Sequence, residues 1–489
     1  MSPRVRPSFL FVIAIFAAAV TAAQVPPKAG DLILEPYVFE NSKKEKVDAE
    51  RGRLYVPENR GNPNSRLIEL SFVRFKSTSA NPGSPIVYLA GGPGGSGSGA
   101  ARGSRFPIFM AMRSVADVIA FDQRGTGESK PSIGCPGTYE LAAGVIPSFE
   151  AFLSSARAKS RSCVESLTAK GADLRGYTTN ESADDLEALR VALGAKKISL
   201  WGISYGTHLS LATIKRHGSS IDRAILAGTE GLDSTHKLPS DVQQHLADIA
   251  AHIKADPELS AKIPDFLTLM RSVFESLERK PVTVEVVDPR TRQPAPVVIN
   301  KFVMQFLTAA TIGTGDITRY PRFYLSASQG DYSEIAAFWL GFSRTNLGSA
   351  MAFTMDCASG ATKARTRRIA KEAPRTLLGN YANIIFPEVC DAWGVPDLGD
   401  DFRKSARSAV PVLFISGTLD GRTPVTNAED EKKYFPNSHH LVLDGAWHSD
   451  PLFLSSPKIL EVMLEFMNGG SPSVTNIRLP PVKFFPLKS

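Results

Sequence analysis

Three segments of the 489-residue chain carry side chains whose types and order fit nucleophilic catalysis. The first is Trp201-Gly202-Ile203-Ser204-Tyr205-Gly206-Thr207, which follows the apolar run 198–201 and precedes a helical pattern. A serine flanked by glycines at a strand-to-helix turn is the arrangement of a nucleophile elbow, where crowded backbone leaves no room for Cβ atoms at the glycine positions. The helix that follows points its positive end at charge developing on a substrate. Taken alone, Gly-x-Ser-x-Gly also describes a glycine-flanked turn serine. Its place between strand and helix favours Ser204 as nucleophile.

The other two segments supply an acid and a base in the chain order such a nucleophile needs. Val412-Leu413-Phe414-Ile415-Ser416-Gly417-Thr418-Leu419-Asp420 puts Asp420 in the loop after a strand, and Leu441-Val442-Leu443-Asp444-Gly445-Ala446-Trp447-His448 puts His448 after the next. His448 is expected to take the Ser204 proton, with Asp420 fixing its tautomer and stabilising the imidazolium. Asp444 is the rival acid, but its position four residues before His448 suits a turn. Of the other histidines, His208 lies one turn into the helix after Ser204, and His236, His245 and His252 are expected on surface helices or loops.

A glycine-rich run, Gly91-Gly92-Pro93-Gly94-Gly95-Ser96-Gly97, follows the strand-like segment 86–90. It lacks the Lys-Ser/Thr ending of a phosphate loop, and Pro93 spoils a dinucleotide fingerprint. An oxyanion hole built from the N–H groups of Gly92 and Tyr205 is the better reading, with a plain flexible loop as the alternative. Chemistry that attacks through an aspartate, as in epoxide hydrolysis or dehalogenation, would need an aspartate at 204.

The elements that must hold these residues follow from periodicity. Short apolar runs at 67–75, 86–90, 118–121, 198–201 and 224–227 alternate with helical patterns at 182–193 and 206–217, which implies a mainly parallel sheet flanked by helices. From 238 to 408 the pattern is mostly helical, with one hairpin-like stretch at 282–299. Strands then return at 410–416 and 440–443. The expected organisation is therefore a core over 24–237, a mostly helical lid insertion over 238–408 and the rest of the core over 409–489, whose tail from Gly469 forms an irregular strap.

Composition bounds the setting. The chain is 43% hydrophobic and 21% charged, as for a globular enzyme, and its net charge is +7. Arg4 and Arg6 account for two of those charges and precede an apolar run, 9–20, that ends in Thr21-Ala22-Ala23. This reads as a signal peptide, 1–23, so the chain is expected to be secreted or periplasmic, with no membrane span after cleavage. The remaining charge does not argue for nucleic acid, and basic runs such as 363–368 read as a solvated helix face. The oligomeric state is left open. Four cysteines, Cys135, Cys163, Cys357 and Cys390, allow three pairings. Short loops and an oxidising compartment favour Cys135–Cys163 and Cys357–Cys390. A zinc site lacks close ligand spacing, and neither a metal nor another cofactor is expected.

Taken in order, these segments resemble the prolyl and tripeptidyl aminopeptidases of the α/β-hydrolase fold. Gly91 to Gly97 is similar to that family's oxyanion loop, and Asp122-Gln123-Arg124-Gly125-Thr126-Gly127-Glu128-Ser129 resembles its Asp-Gln-Arg-Gly-x-Gly-x-Ser segment. The stretch before the elbow, Tyr177-Thr178-Thr179-Asn180 and then 184–193, is also similar. The segments 416–424 and 445–448, together with Cys357, Cys390 and Trp393, look like the tripeptidyl group's C-terminal module. The resemblance implies a lid over the active site. Arg124 is expected to brace loops near the oxyanion hole. The chain departs from prolyl aminopeptidases at Ala90, where they carry histidine, and from the tripeptidyl group at 228–233.

The resemblance implies an exopeptidase that releases short peptides or an amino acid from a free N-terminus. An esterase or amidase on small acyl compounds would use the same acyl-enzyme chemistry, and a non-catalytic binding protein of this fold is disfavoured by the intact triad. A carboxylate able to grip an ammonium group would separate the first two readings. Glu230 and Asp233, after the strand that follows the elbow helix, are the candidates.

Overall fold

The computed structural model of this chain describes residues 26–141 and 145–487, so the expected leader lies outside the described residues. Twelve strands are formed among the described residues. They are β1 (Leu32–Glu40), β2 (Lys46–Pro57), β3 (Leu67–Phe75), β4 (Ile86–Leu89), β5 (Val118–Phe121) and β6 (Ile198–Ser204), then β7 (Ile221–Thr229), β8 (Val282–Val287), β9 (Pro294–Ile299), β10 (Val412–Gly417), β11 (Ser438–Asp444) and β12 (Asn476–Arg478). Ten form one sheet in the order β1-β2-β3-β5-β4-β6-β7-β10-β11-β12, while β8 and β9 pair separately as an antiparallel hairpin. From β5 to β12 every pairing is parallel, and β1, β2 and β3 add an antiparallel edge.

Period-two alternation sends successive side chains to opposite faces of this sheet. Val87, Leu89 and Leu200 join the core on one face, with the helices Thr179–Ala192 and Tyr205–His217. Tyr88 and Trp201 join the other, where they meet Phe109 and Phe453. Because the central strands are covered on both sides, they read in sequence as unbroken apolar runs.

Strands β1 and β2 have no such run, and the sequence does not announce them. β1 lies at the sheet edge with most of its side chains exposed, and β2 alternates charged with apolar residues. A strand with one solvated face carries little continuous apolar signal.

Between β7 and β10 the chain leaves the sheet. It builds several helices, among them Pro239–Ala255, Lys301–Thr311, Ser333–Ser343 and Ala350–Ser359, together with the β8–β9 hairpin. Their apolar faces continue the core on the Val87 side. Both disulfides form, Cys135–Cys163 and Cys357–Cys390. Past β12 the tail turns back over this block. The Phe485 N–H donates to the Thr318 carbonyl at 2.9 Å, and the Phe485 ring lies under Arg319 and Arg322.

Candidate active site

Ser204 ends β6 and directly precedes the helix Tyr205–His217. Its φ of 55° and ψ of −126° are strained for a residue with a Cβ, and the packing around it enforces them. A Cβ on Gly206 would lie 2.1 Å from the Leu89 carbonyl oxygen, and one on Gly202 would lie 2.6 Å from the Gly206 carbonyl oxygen. Only glycines fit. The strained turn projects Ser204 into a cavity of about 470 Å³ that Gly91, Gly92, His448 and Arg422 also line.

The glycine-rich loop reaches the serine from β4. A Cβ on Gly91 would approach the Ser204 Cβ to 2.8 Å, so the backbone here passes directly beside Ser204. Gly92 has φ +124°, which favours glycine, and it lines the same cavity. Tyr205 opens the helix, where an N–H has no acceptor within the helix.

The segment 122–129 holds the loop in place. The Asp122 carboxylate accepts from Ser96 Oγ (2.7 Å), Ser98 N–H (3.0 Å), Ser98 Oγ (2.7 Å) and Glu128 N–H (2.9 Å), while Gln123 donates to the Ala90 carbonyl at 3.0 Å. Arg124 is fully buried and bidentate on Asp185, with both bonds at 2.7 Å. That is the bracing arginine expected from the sequence.

His448 Nδ1 lies 2.7 Å from Asp420 Oδ2. The carboxylate is buried and held by further donors: Arg422 N–H at 2.9 Å, Thr423 N–H at 2.8 Å and Thr423 Oγ1 at 2.7 Å. Burial pushes the Asp420 carboxyl up, but the His448 charge and these hydrogen bonds outweigh it and hold the group below its usual range. Thr423 Oγ1 is also 3.0 Å from His448 Nδ1, a contact that sequence reasoning missed. Asp444 instead accepts from Thr418 Oγ1 at 3.3 Å in the turn before the base.

On the other side of His448, Ser449 takes φ 78°. Buried Arg105 secures this turn through Ser449 Oγ and Asp450, both at 2.9 Å, and through the Tyr88 hydroxyl. The arginine ties the base loop to the segment that follows the oxyanion loop.

The two carboxylates expected to contact substrate have different fates. Asp233 accepts from the Thr362 N–H at 2.7 Å and from its hydroxyl at 2.8 Å, at the start of the helix Lys363–Glu372. Each of its oxygens thus accepts one hydrogen bond from the insertion and anchors the start of that helix. Glu230 is buried and pairs with Lys237 at 2.7 Å. Burial raises its carboxyl, yet the Lys237 charge prevails and holds it below the usual range.

Beside Glu230 stands Asp356, which no motif marked. Burial and then the Glu230 charge push its carboxyl well up, while the Glu230 carboxyl is held down. Among the described residues the Asp356 carboxyl makes no hydrogen bond or ion pair, and it keeps part of its surface although it lies deep in the fold. Both carboxyls act electrostatically on Tyr205, the residue after the nucleophile.

A buried polar chain fixes that proximity. The Tyr205 hydroxyl lies 3.1 Å from Thr179 Oγ1, which is 3.2 Å from Ser359 Oγ, and His208 reaches the same serine at 3.0 Å. His236 and His245, expected near the surface, are buried instead, and desolvation lowers both to about 4. Among the described residues no group of three or more His, Cys, Asp or Glu side chains is arranged to hold a metal ion. No helix among them is long and apolar enough to cross a membrane.

Comparison with known proteins gives this geometry a family. The chain is 33% identical over 174 residues to a tripeptidyl aminopeptidase of Streptomyces coelicolor, a match covering 32% of this chain and 31% of that protein. The match thus spans about a third of that relative's length. The serine protease Hip1 of Mycobacterium tuberculosis is 23% identical over 463 residues, covering 86% of this chain and 85% of that one. The solved proline iminopeptidase of Mycobacterium smegmatis aligns with 85% of this chain and 98% of its own at 15% identity and a TM-score of 0.38. A family model described as alpha/beta hydrolase fold matches residues 84–453, three quarters of the sequence, and the chain belongs to the alpha/beta hydrolase fold family.

Proposed function

We propose that this chain is an exported serine aminopeptidase that releases short peptides or an amino acid from free N-termini. In this reading Ser204 Oγ attacks the scissile carbonyl while His448 Nε2 takes its proton. The oxyanion is met by the N–H groups of Gly92 and Tyr205. His448 returns the proton to the leaving amine, leaving an ester on Ser204. Water attacks that ester with the same base, and Ser204 regains its proton as the acid product leaves. Asp420 keeps the imidazole in the tautomer whose Nε2 is free to accept. The two disulfides and the sequence of the leader support export.

The observation that carries the peptidase reading is the unpartnered Asp356 carboxyl beside Glu230. An acid deep in the fold with no internal partner is left for water or a ligand to complete. An ammonium group would do so, because a nearby cation favours ionisation of Asp356 and donates a charge-assisted hydrogen bond to it. An exopeptidase needs such a marker at a fixed distance from the cleaved bond. The experiment compares peptide anilides with free and acetylated N-termini. The free forms should be cleaved at least about tenfold better, as expected for one charge-assisted hydrogen bond of about 1.5–3 kcal/mol. Asp356→Asn and Glu230→Gln should erase that preference while leaving simple esters nearly unchanged. Equal cleavage of acetylated and free substrates by the wild type would overturn this reading in favour of a small-acyl esterase or amidase.

A further inference from the structure

The helical insertion, together with Tyr139 and Phe152 from before β6, lines a second cavity of about 270 Å³, whose aromatic wall includes Phe152, Phe306, Phe342 and Tyr381. Ala310, on the helix Lys301–Thr311, leaves part of the wall shallow. Arg422 lines this recess and also the cavity that holds Ser204 and His448. The aliphatic stem of Arg422 packs on Gly313, where a Cβ would lie 2.0 Å from its Cγ. Its guanidinium makes no hydrogen bond or ion pair among the described residues, although its N–H is bound to Asp420. The recess is linked to Glu230 through Lys237. Asn383 in its wall accepts from the Lys237 N–H at 2.6 Å and donates to the Lys237 carbonyl at 2.8 Å, and Lys237 pairs with Glu230.

An apolar hollow of this kind forfeits dispersion contacts on its open side, and an apolar ligand restores them. At about 270 Å³ it lies at or just below the small end of ligand pockets, roughly 300 Å³, which suits one side chain rather than a folded segment. We infer that this recess is the subsite for the side chain of the substrate's N-terminal residue and that it selects a large apolar side chain, aromatic or branched. The inference rests on the aminopeptidase reading. Asp356 and Glu230 take the ammonium group, the attached side chain enters the aromatic recess, and the backbone passes Arg422 towards Ser204. A lysine or arginine side chain would bring a second cation to the unpaired Arg422 and find no acidic partner in the recess wall.

The test varies the first residue in two free-amine series, aminoacyl anilides and X-Ala-Ala anilides, with X as Phe, Leu, Ala, Lys or Asp. Wild-type kcat/KM should favour Phe and Leu over Lys and Asp by at least about tenfold, the scale on which apolar pockets discriminate. Ala310→Phe fills the recess. It should cost the Phe substrate about tenfold or more, mostly in KM, while the Ala substrate changes by less than about twofold. If Ala310→Phe does not fold, as judged by melting temperature, Ala382→Leu on the same wall replaces it. Equal losses for Phe and Ala substrates, or no loss for either, would overturn the assignment.

A parallel series of nitrophenyl esters from acetyl to octanoyl separates this failure from failure of the peptidase reading. If only esters are cleaved, the peptidase reading falls. The recess then survives as an acyl subsite when Ala310→Phe shortens the preferred chain, and falls with it when chain preference is unmoved.

Discussion

Thr423 is the residue whose consequences are easiest to isolate. Its hydroxyl donates to the same Asp420 oxygen that lies 2.7 Å from His448 Nδ1. That carboxylate oxygen therefore receives two donors in a buried site, and removing one raises its basicity. Thr423→Val, nearly the same size, should lower kcat by about tenfold, a loss of about 1.4 kcal/mol, with KM little changed. A more basic Asp420 holds the imidazolium more tightly, so the acidic limb of the rate profile should move to higher pH. Ser204→Ala should lower the rate by orders of magnitude in a protein that still melts cooperatively. Retention of more than about a tenth of wild-type activity by Ser204→Ala would remove the nucleophile assignment. An unmoved pH profile in Thr423→Val would leave the threonine a packing role only.

Among the elements, the helix Val425–Lys432 carries a buried carboxyl outside the proposed chemistry. Burial pushes Glu431 up to about 7 from its ordinary 4.5, against a Ser405 hydroxyl bond of 2.8 Å, and its Oε2 has no partner. The folded state keeps this proton over a range where the unfolded chain releases it. Stability is therefore undiminished below about pH 4 and falls as pH rises towards 7, then levels off. Glu431→Gln should leave the melting temperature at pH 4.5 unchanged and raise it at pH 8 by about 2–4 °C, on the order of 2 kcal/mol. Equal shifts at both pH values would rule out the buried proton as the cause.

The elements also divide by how much the sequence reveals of them. The elbow, its two glycines and the order Ser204, Asp420, His448 are legible because local backbone geometry dictates residue type within a few positions. Central strands are legible because burial on both faces makes them apolar throughout. Strands β1 and β2 are not, since an edge that faces water tolerates charge. Asp356 is illegible for another reason. Nothing in its own helix, Ala350–Ser359, marks it, and it acquires meaning only where that helix meets Glu230 and Lys237 from the far side of the fold. Asp233 has the right type and place, yet Thr362, from the opposite layer, claims it.

At the scale of the whole molecule, the disulfide Cys357–Cys390 joins the residue after Asp356 to the turn that follows the recess wall. Replacing both cysteines by serine should cost about 2–4 kcal/mol of stability through the freed unfolded chain. The same change should depress turnover of free-amine peptides more than that of simple esters, because the cross-link fixes the half of the site proposed to grip the amine. Parallel loss on both substrate classes would mean that the bridge serves stability alone.

The tail crosses a boundary that the disulfides do not. β12 pairs with β11, whose end leads into the base loop, and a few residues later Phe485 is bonded to Thr318 and seated under Arg319 and Arg322 in the insertion. One short stretch of chain is thus moored at both ends, to the sheet that leads into the His448 loop and to the helical insertion. It works as a leash of fixed length. Were the insertion to act as the expected lid, it could rise only until the leash is taut or the Phe485 anchorage lets go, so the tail would limit how wide the mouth of the site could gape. Long or folded chains would be turned away by tether length, before any side chain has been read.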